Sequence, residues 1–148
     1  MKEDVTFDSE RIGTIIFDIR TYILDFENLH IERIEDLQDK RNYYAVSMIL
    51  FSLLNRVLDL GTEVTIAHNL GIPTTYRDIF VILRKQGFID DELASNMIGL
   101  VTYRNLLSHE YHGITENDLF LLKNRIPVIR QFVEVMQQTI AQKNSRLS

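Results

Sequence analysis

The chain has 148 residues, of which 45% are hydrophobic and 25% are charged, and this is typical of one globular domain. The absence of cysteine excludes disulfide scaffolds, thiol nucleophiles and cysteine zinc sites. A net charge of −5 argues against a large nonspecific DNA-binding surface, although a small basic site remains compatible with it. The longest uncharged apolar run, residues 43–55, is shorter than the roughly 20 residues of a membrane span. Since no signal peptide is visible, we expect a cytoplasmic protein without a membrane segment.

The first half of the chain shows helical periodicity. Asp8 or Ser9 is placed to cap a first helix, in which isoleucines recur at three- and four-residue spacing up to Phe26. A second helix over about residues 43–60 is apolar on most of its circumference. A helix of that kind is usually the central one of a bundle.

Glycine and proline separate the helices of the second half. Gly71-Ile72-Pro73 breaks the chain, and Thr75 with Asp78 resembles a capping box that opens a short third helix to about residue 86. The acidic residues 90–92 favour the start of a fourth helix, which runs towards His109.

The last helix is predicted to be long. Gly113 marks a turn, after which Thr115 and Asp118 form another capping box, and Pro127 is expected to kink the helix that follows. The polar tail 142–148 is expected to fray. We therefore predict a single all-α domain over residues 1–148, an up-down bundle of four to five helices.

Arg104 occupies an unusual position on the fourth helix. At 100° per residue it falls in the middle of an apolar stripe. A guanidinium cannot lose its charge, so burying it unpaired would cost several kcal/mol. Either a carboxylate such as Asp59 pairs with it, or the stripe opens there into a site. The apolar members of the stripe are Leu93, Met97, Leu100, Val101 and Leu107.

Asn105 and His109 follow with the four-residue spacing that places two side chains on one helix face. Arg104 and His109 are five residues apart, about 140° round an ideal helix, so they converge only if the helix ends between them or a second subunit contributes. Histidine exchanges protons near neutral pH, and arginine presents a rigid fork of donors to phosphate oxygens. The structural alternative is a paired arginine and a capping histidine.

The residues from 104 to 111 read Arg-Asn-x3-His-x-Tyr, which resembles the motif of the HepT-like branch of HEPN domains. The resemblance covers about residues 12–136. Beyond the motif it rests on four segments: Val57-Leu58-Asp59-Leu60-Gly61, Pro73-Thr74-Thr75-Tyr76-Arg77-Asp78-Ile79-Phe80, Leu83-x3-Gly87-Phe88-Ile89 and Leu93-Ala94.

This resemblance implies a helical bundle that dimerises with the two motif helices around a shared cleft. It implies a toxin-type, metal-independent ribonuclease without a cofactor, with Arg104 and His109 as the catalytic pair and Asn105 positioning them. Tyr111 matches the tyrosine to which a minimal nucleotidyltransferase (MntA-like) antitoxin transfers AMP, and toxin and antitoxin would assemble into larger complexes. His109 would act as general base on the ribose 2′-OH or as general acid on the leaving oxygen, so DNA should resist cleavage.

Several residues near the motif have two interpretations. His112 would assist the site or be a solvated loop residue. A metal held by His109, Glu110 and His112 is the alternative to metal-free chemistry, although a further histidine or a cysteine is missing. Three cations on the next helix would form the basic rim of an RNA cleft or a plain solvated face: Lys123, Arg125 and Arg130.

Aromatic residues of the second helix also have two interpretations. Tyr43, Tyr44 and Phe51 would stack on bases, as in proteins that bind single-stranded nucleic acids, or pack in the core or a dimer seam. Because they lie on the most apolar helix of the chain, we expect packing.

Two other functions remain open. The first is a non-catalytic helical module that docks a nucleotidyltransferase and presents Tyr111, or binds a nucleotide or small substrate. The second is a four-helix scaffold whose dimer seam buries Arg104 against a carboxylate. The presence of both Arg104 and His109 favours the nuclease, because a docking module needs neither.

Overall fold

The computed structural model describes residues 8–109 and 114–147, except for the side chains of His109 and of residues 143–147. Within these residues a short 3₁₀ helix and six α-helices form the fold, and no strand occurs. The all-α prediction is therefore confirmed, with six helices in place of four or five. They are α1 (Ser9–Glu27), the 3₁₀ helix (Ile34–Gln38), α2 (Lys40–Ala67), α3 (Tyr76–Lys85), α4 (Asp91–His109), α5 (Glu116–Lys123) and α6 (Ile126–Leu147).

As predicted, α2 is the central helix, and it contacts all five other α-helices. It runs past residue 60 because Val64, Thr65 and Ala67 continue its buried surface. By length and composition α2 could cross a bilayer, but 50% of its most apolar window is buried inside the bundle. The central helix of a bundle is commonly apolar around most of its circumference, and its apolar residues are then buried against the other helices.

The side-chain caps agree with the sequence in part. Asp8 caps α1, its carboxylate accepting a 3.0 Å hydrogen bond from the Arg11 backbone N–H. Thr75 caps α3 by accepting from the Asp78 N–H at 3.1 Å. The Asp78 carboxylate, however, accepts from the Thr74 N–H and hydroxyl rather than from the Thr75 N–H. The predicted box is therefore shared between two threonines.

The last part of the chain contains two helices instead of one. Thr115 and Asp118 form the predicted reciprocal capping box, but the helix that they open ends at Lys123. Pro127 is the second residue of α6, so the prediction that it kinks a long helix is wrong. Proline is compatible with the first turn of a helix because the N–H groups there have no intrahelical partner.

All six helices contribute to one hydrophobic core. That a single domain fills residues 1–148 stays a prediction, as does fraying of the tail 142–148, although the α6 backbone is helical as far as Leu147.

A glycine allows α3 to approach α2 closely. A Cβ built on Gly61 would lie only 2.6 Å from Ile79 Cγ2 and 3.5 Å from Phe132 Cζ. Ile79 is 2% exposed, so any larger residue at position 61 would push against a buried side chain. Tyr76 lies three residues before Ile79 and thus on the same face of α3. The approach of the two helices therefore also places Tyr76 beside α2 and α4.

Candidate active site around Arg104

Arg104 is half-buried on α4 and is held by side chains from two other helices. Its Nε donates a 3.0 Å hydrogen bond to Asn55 Oδ1 on α2. Its guanidinium carbon lies 4.5 Å from the centre of the Tyr76 ring on α3 and 5.6 Å from that of the Phe51 ring on α2. Both distances are within the range of cation–π attraction. We call Phe51, Asn55 and Tyr76 the Arg104 cradle.

The cradle contains no carboxylate. Among the described residues no carboxylate lies within ion-pair distance of the Arg104 guanidinium, so of the two alternatives the structure does not show pairing with a carboxylate such as Asp59. Asp59 instead binds Arg56 at 3.2 Å, and Arg56 also binds Asp18 at 2.7 Å. The hydrogen bond with Asp18 is the main reason why the pKa of Arg56 is raised.

None of the described residues around Arg104 therefore cancels its charge. One terminal nitrogen, Nη1, has a long 3.4 Å contact with Oδ1 of the exposed Asn105, and the described residues supply no partner for Nη2. Two neighbouring N–H donors on a guanidinium suit a phosphate, which arginine commonly binds through two parallel hydrogen bonds. Arg104 is thus oriented at Nε while its terminal nitrogens are available to a ligand.

An open cleft of about 650 Å³ adjoins the cradle between α3 and α4. None of the described residues that line it is a carboxylate, whereas the chain as a whole has an acidic excess. The cleft would therefore tolerate an anion better than most of the surface does. It is lined by Thr62, Pro73, Thr74, Thr75, Tyr76, Arg77, Ile79, Val101 and Asn105.

The start of α3 keeps Tyr76 in place. Tyr76 is the first residue of the helix and directly follows its cap, Thr75. The Asp78 carboxylate binds Thr74, and this hydrogen bond is the largest reason why the pKa of Asp78 is lowered. These local bonds fix the backbone from which the Tyr76 ring reaches Arg104.

His109 is the last residue of α4, which agrees with the prediction that the fourth helix runs towards it. Its backbone continues the helix for one turn beyond Asn105. Glu110, Tyr111 and His112 lie outside the described residues, and so does the metal site considered for this segment. In the part of the chain that the structure describes, no three histidine, aspartate or glutamate side chains form a cluster able to hold a metal ion.

The Tyr43 side chain binds the backbone at Ile114, the first described residue after position 109. Its hydroxyl donates a 2.6 Å hydrogen bond to the Ile114 carbonyl, and burial is the main reason why the pKa of Tyr43 is raised. Of the aromatic residues weighed as a stacking platform, Tyr43 and Phe51 pack against the core, as expected, whereas Tyr44 is 59% exposed. Phe51 has the additional role of supporting Arg104.

The three cations weighed as an RNA rim lie in different surroundings. The Lys123 ammonium is 4.9 Å from the centre of the Phe120 ring. Arg125 lies against α4, where its Nη1 would be 3.6 Å from a Cβ built on Gly99. Arg130 pairs with Glu27 of α1, away from the cradle. None of the described contacts joins Lys123, Arg125 or Arg130 to Arg104.

Comparison with known proteins identifies the family of this chain. The model of the family described as ribonuclease HepT-like matches residues 12–136. The chain belongs to the HepT-like ribonuclease family. A curated relative is the mRNA nuclease HepT of Shewanella oneidensis, 25% identical over 81 residues, which are 54% of this chain and 61% of that protein. The matched part thus spans about three-fifths of the relative's length.

Solved structures show the same fold. The tri-AMPylated HEPN toxin of Shewanella oneidensis, solved in complex with MNT antitoxin, has a TM-score of 0.78 at 21% identity, covering 93% of this chain and 99% of that one. YutE of Bacillus subtilis, a cytosolic protein of unknown function, has a TM-score of 0.79 at 18% identity, covering 93% of both chains. The resemblance to HEPN domains, read from the sequence, is confirmed.

Sequence reasoning singled out Arg104 and Asn105 as candidates but did not predict the Arg104 cradle. Asn55 carries a visible signal, because it is an amide on the most apolar helix of the chain, just as Arg104 is a charge on the apolar stripe of α4. Two polar residues on facing apolar surfaces are expected to pair, since each needs a hydrogen-bond partner there. Tyr76 gave no comparable signal, because its role depends on how α3 packs.

Proposed function

We propose that this HepT-like protein is a metal-independent endoribonuclease, the toxin of a toxin–antitoxin pair, active in the cytoplasm as a homodimer. One observation carries the proposal. Among the described residues, the partners that orient Arg104 are neutral, and two of its neighbours, Tyr76 and Asn105, line a cleft in which no described lining residue is a carboxylate. An arginine with only a structural role in the bundle would be expected to pair with a carboxylate instead.

In this proposal Arg104 binds the scissile phosphate and stabilises the charge that develops on it. His109 takes the proton from the ribose 2′-OH, or gives one to the leaving 5′ oxygen. The 2′ oxygen forms a bond to phosphorus as the bond to the 5′ oxygen breaks, which leaves a 2′,3′-cyclic phosphate. Asn105, with Oδ1 3.4 Å from Arg104 Nη1, helps to hold the arginine and the phosphate in register.

Dimerisation would bring the side chains of Arg104 and His109 together. Residues five apart on a helix point about 140° away from each other, and α4 is helical from Arg104 to His109. A second motif helix across a shared cleft would set the His109 of one protomer near the Arg104 of the other. Lys123 and Arg125 would contact phosphates further along the RNA.

The proposal includes silencing by transfer of AMP to Tyr111, which the resemblance to HepT-like toxins implies. A transferred AMP adds bulk and negative charge two residues from His109, where phosphates of RNA must lie. A minimal nucleotidyltransferase would be the partner that transfers it. The similarity to a tri-AMPylated toxin in complex with MNT antitoxin supports this part of the proposal.

The test is cleavage of end-labelled RNA in EDTA by wild type, Arg104→Ala and Arg20→Ala. Arg20 is exposed on α1 and so controls for the loss of one positive charge. The proposal expects cleavage by wild type and Arg20→Ala, and a loss of about a hundredfold or more in Arg104→Ala, the cost of removing one charge-stabilising donor group. Equal cleavage by all three would refute it. No cleavage by well-folded, AMP-free protein would favour a docking module that presents Tyr111.

A further inference from the structure

The residue that anchors Arg104 is an amide, although a carboxylate would bind a guanidinium more strongly. Asn55 Oδ1 accepts from Nε at 3.0 Å and carries no net charge. Asparagine and aspartate have nearly the same shape, so an aspartate would fit the same place and form an ion pair. The Asn55 amide therefore binds the guanidinium more weakly than an aspartate would, and it does not cancel the charge of Arg104.

The other two cradle residues have the same property. The faces of the Tyr76 and Phe51 rings attract a cation without carrying a charge of their own. A phosphate that approaches Arg104 thus meets a full positive charge and does not have to displace any anion among the described residues. With a carboxylate in the cradle, RNA would compete against a tethered ligand at high effective concentration.

The carboxylate one helical turn after Asn55 on α2 binds a different arginine. Asp59 lies one helical turn beyond Asn55 and therefore on the same face of the helix. Arg56 binds it at 3.2 Å and at the same time binds Asp18 of α1 at 2.7 Å. This ion-pair network gives Asp59 a cation of its own, so Asn55 remains the partner of Arg104.

We propose that Asn55 is a positioning residue of the nuclease: it orients Arg104 through Nε while leaving the positive charge and both terminal nitrogens to the RNA phosphate. The inference rests on the proposed function for its role in cleavage. It also makes a claim about phosphate binding that does not depend on cleavage.

The test compares wild type with Asn55→Asp and Asn55→Ala. Gln138→Glu, at an exposed position of α6, controls for the added negative charge. Three quantities are measured on AMP-free protein: the urea midpoint, the rate of RNA cleavage, and the affinity for a 2′-O-methyl oligonucleotide that cannot be cleaved by 2′-OH attack.

We expect Asn55→Asp to unfold at the same or a higher urea concentration than wild type, because it gains an ion pair, yet to cleave at least tenfold more slowly and to bind the oligonucleotide more weakly. Asn55→Ala should unfold slightly earlier and cleave roughly tenfold to a hundredfold more slowly, because the guanidinium is no longer oriented. It should bind more tightly than Asn55→Asp, since it keeps the charge. Gln138→Glu should behave like wild type.

A purely structural role for Asn55 predicts a different order. If Asn55→Asp cleaves and binds as well as wild type, or if activity simply follows stability across the variants, the inference is overturned. If wild type does not cleave RNA, the proposed function fails, and the binding measurement alone decides the inference: weaker binding by Asn55→Asp supports it, and equal binding by both variants overturns it.

Discussion

Gly61→Ala tests whether the close approach of α3 to α2 builds the site. The added Cβ would lie 2.6 Å from Ile79 Cγ2, a contact that real Cβ atoms essentially never make. Ile79 cannot easily turn away, because it is buried and its β-branched side chain has one strongly preferred rotamer in a helix. The two helices must therefore move apart.

The expected change in stability is the sum of two opposing effects. Alanine favours a helix over glycine by about 1 kcal/mol, and overpacking a core usually costs about 1–3 kcal/mol. We therefore expect the free energy of unfolding to fall by about 1 kcal/mol. Since Tyr76 lies on the same face of α3 as Ile79, it should also move off Arg104, and RNA cleavage should fall even at temperatures where the variant is fully folded.

Gly99→Ala is the matched control. Gly99 also lies within a helix, but its added Cβ would be 3.6 Å from the nearest atom, Arg125 Nη1, which is an ordinary contact. This variant should be more stable than wild type by up to about 1 kcal/mol. Urea unfolding followed by circular dichroism measures both changes. If Gly61→Ala is as stable as Gly99→Ala and equally active, Gly61 does not set the packing of α3.

Three further predictions concern Tyr43, Asp78 and Tyr111. Tyr43→Phe should lower the free energy of unfolding by about 1 kcal/mol in urea titrations, because the hydrogen bond to the Ile114 carbonyl is lost; an unchanged midpoint would contradict this. The lowered pKa of Asp78 means that its carboxylate stabilises the fold above the ordinary carboxyl pKa of about 3.9 and that this contribution disappears as the pH falls through the lowered value. Asp78→Asn should therefore flatten the loss of thermal stability below about pH 4, and an unchanged acid profile would count against the cap. Tyr111→Phe should still cleave RNA but accept no AMP from a nucleotidyltransferase, as intact-protein mass shows; labelling at an unchanged level would place the acceptor elsewhere.

The elements that sequence reasoning predicted well are those set by local patterns. The caps at Asp8 and Thr115 depend on hydrogen bonds within a few residues, and helical periodicity shows α2 to be the central helix. The family motif, which includes Arg104 and Asn105, is equally visible in the chain. Pro127 was misjudged because continuous apolar periodicity hides a helix boundary, and proline fits both a kink and a first turn.

The cradle depends on contacts between distant parts of the chain. Asn55 and Arg104 are 49 residues apart, and their pairing requires α4 to pack against α2 in one register. Tyr76 lies against Arg104 from α3, a helix whose packing against α2 brings Ile79 close to Gly61. Asp59 was one possible partner because a half-buried arginine often pairs with an anion, but Arg56 on the same helix binds that carboxylate instead.

The central claim is that Arg104 and His109, at the C-terminal end of α4, catalyse RNA cleavage by attack of the ribose 2′-OH. Its most direct test is incubation of AMP-free wild-type and His109→Ala protein in EDTA with an end-labelled RNA and its all-deoxy counterpart, followed by analysis of the product ends. We predict that wild type cuts the RNA to leave a 2′,3′-cyclic phosphate, that His109→Ala does not, and that the DNA remains intact. Equal cleavage of the two strands, or undiminished cleavage by His109→Ala, would contradict the account.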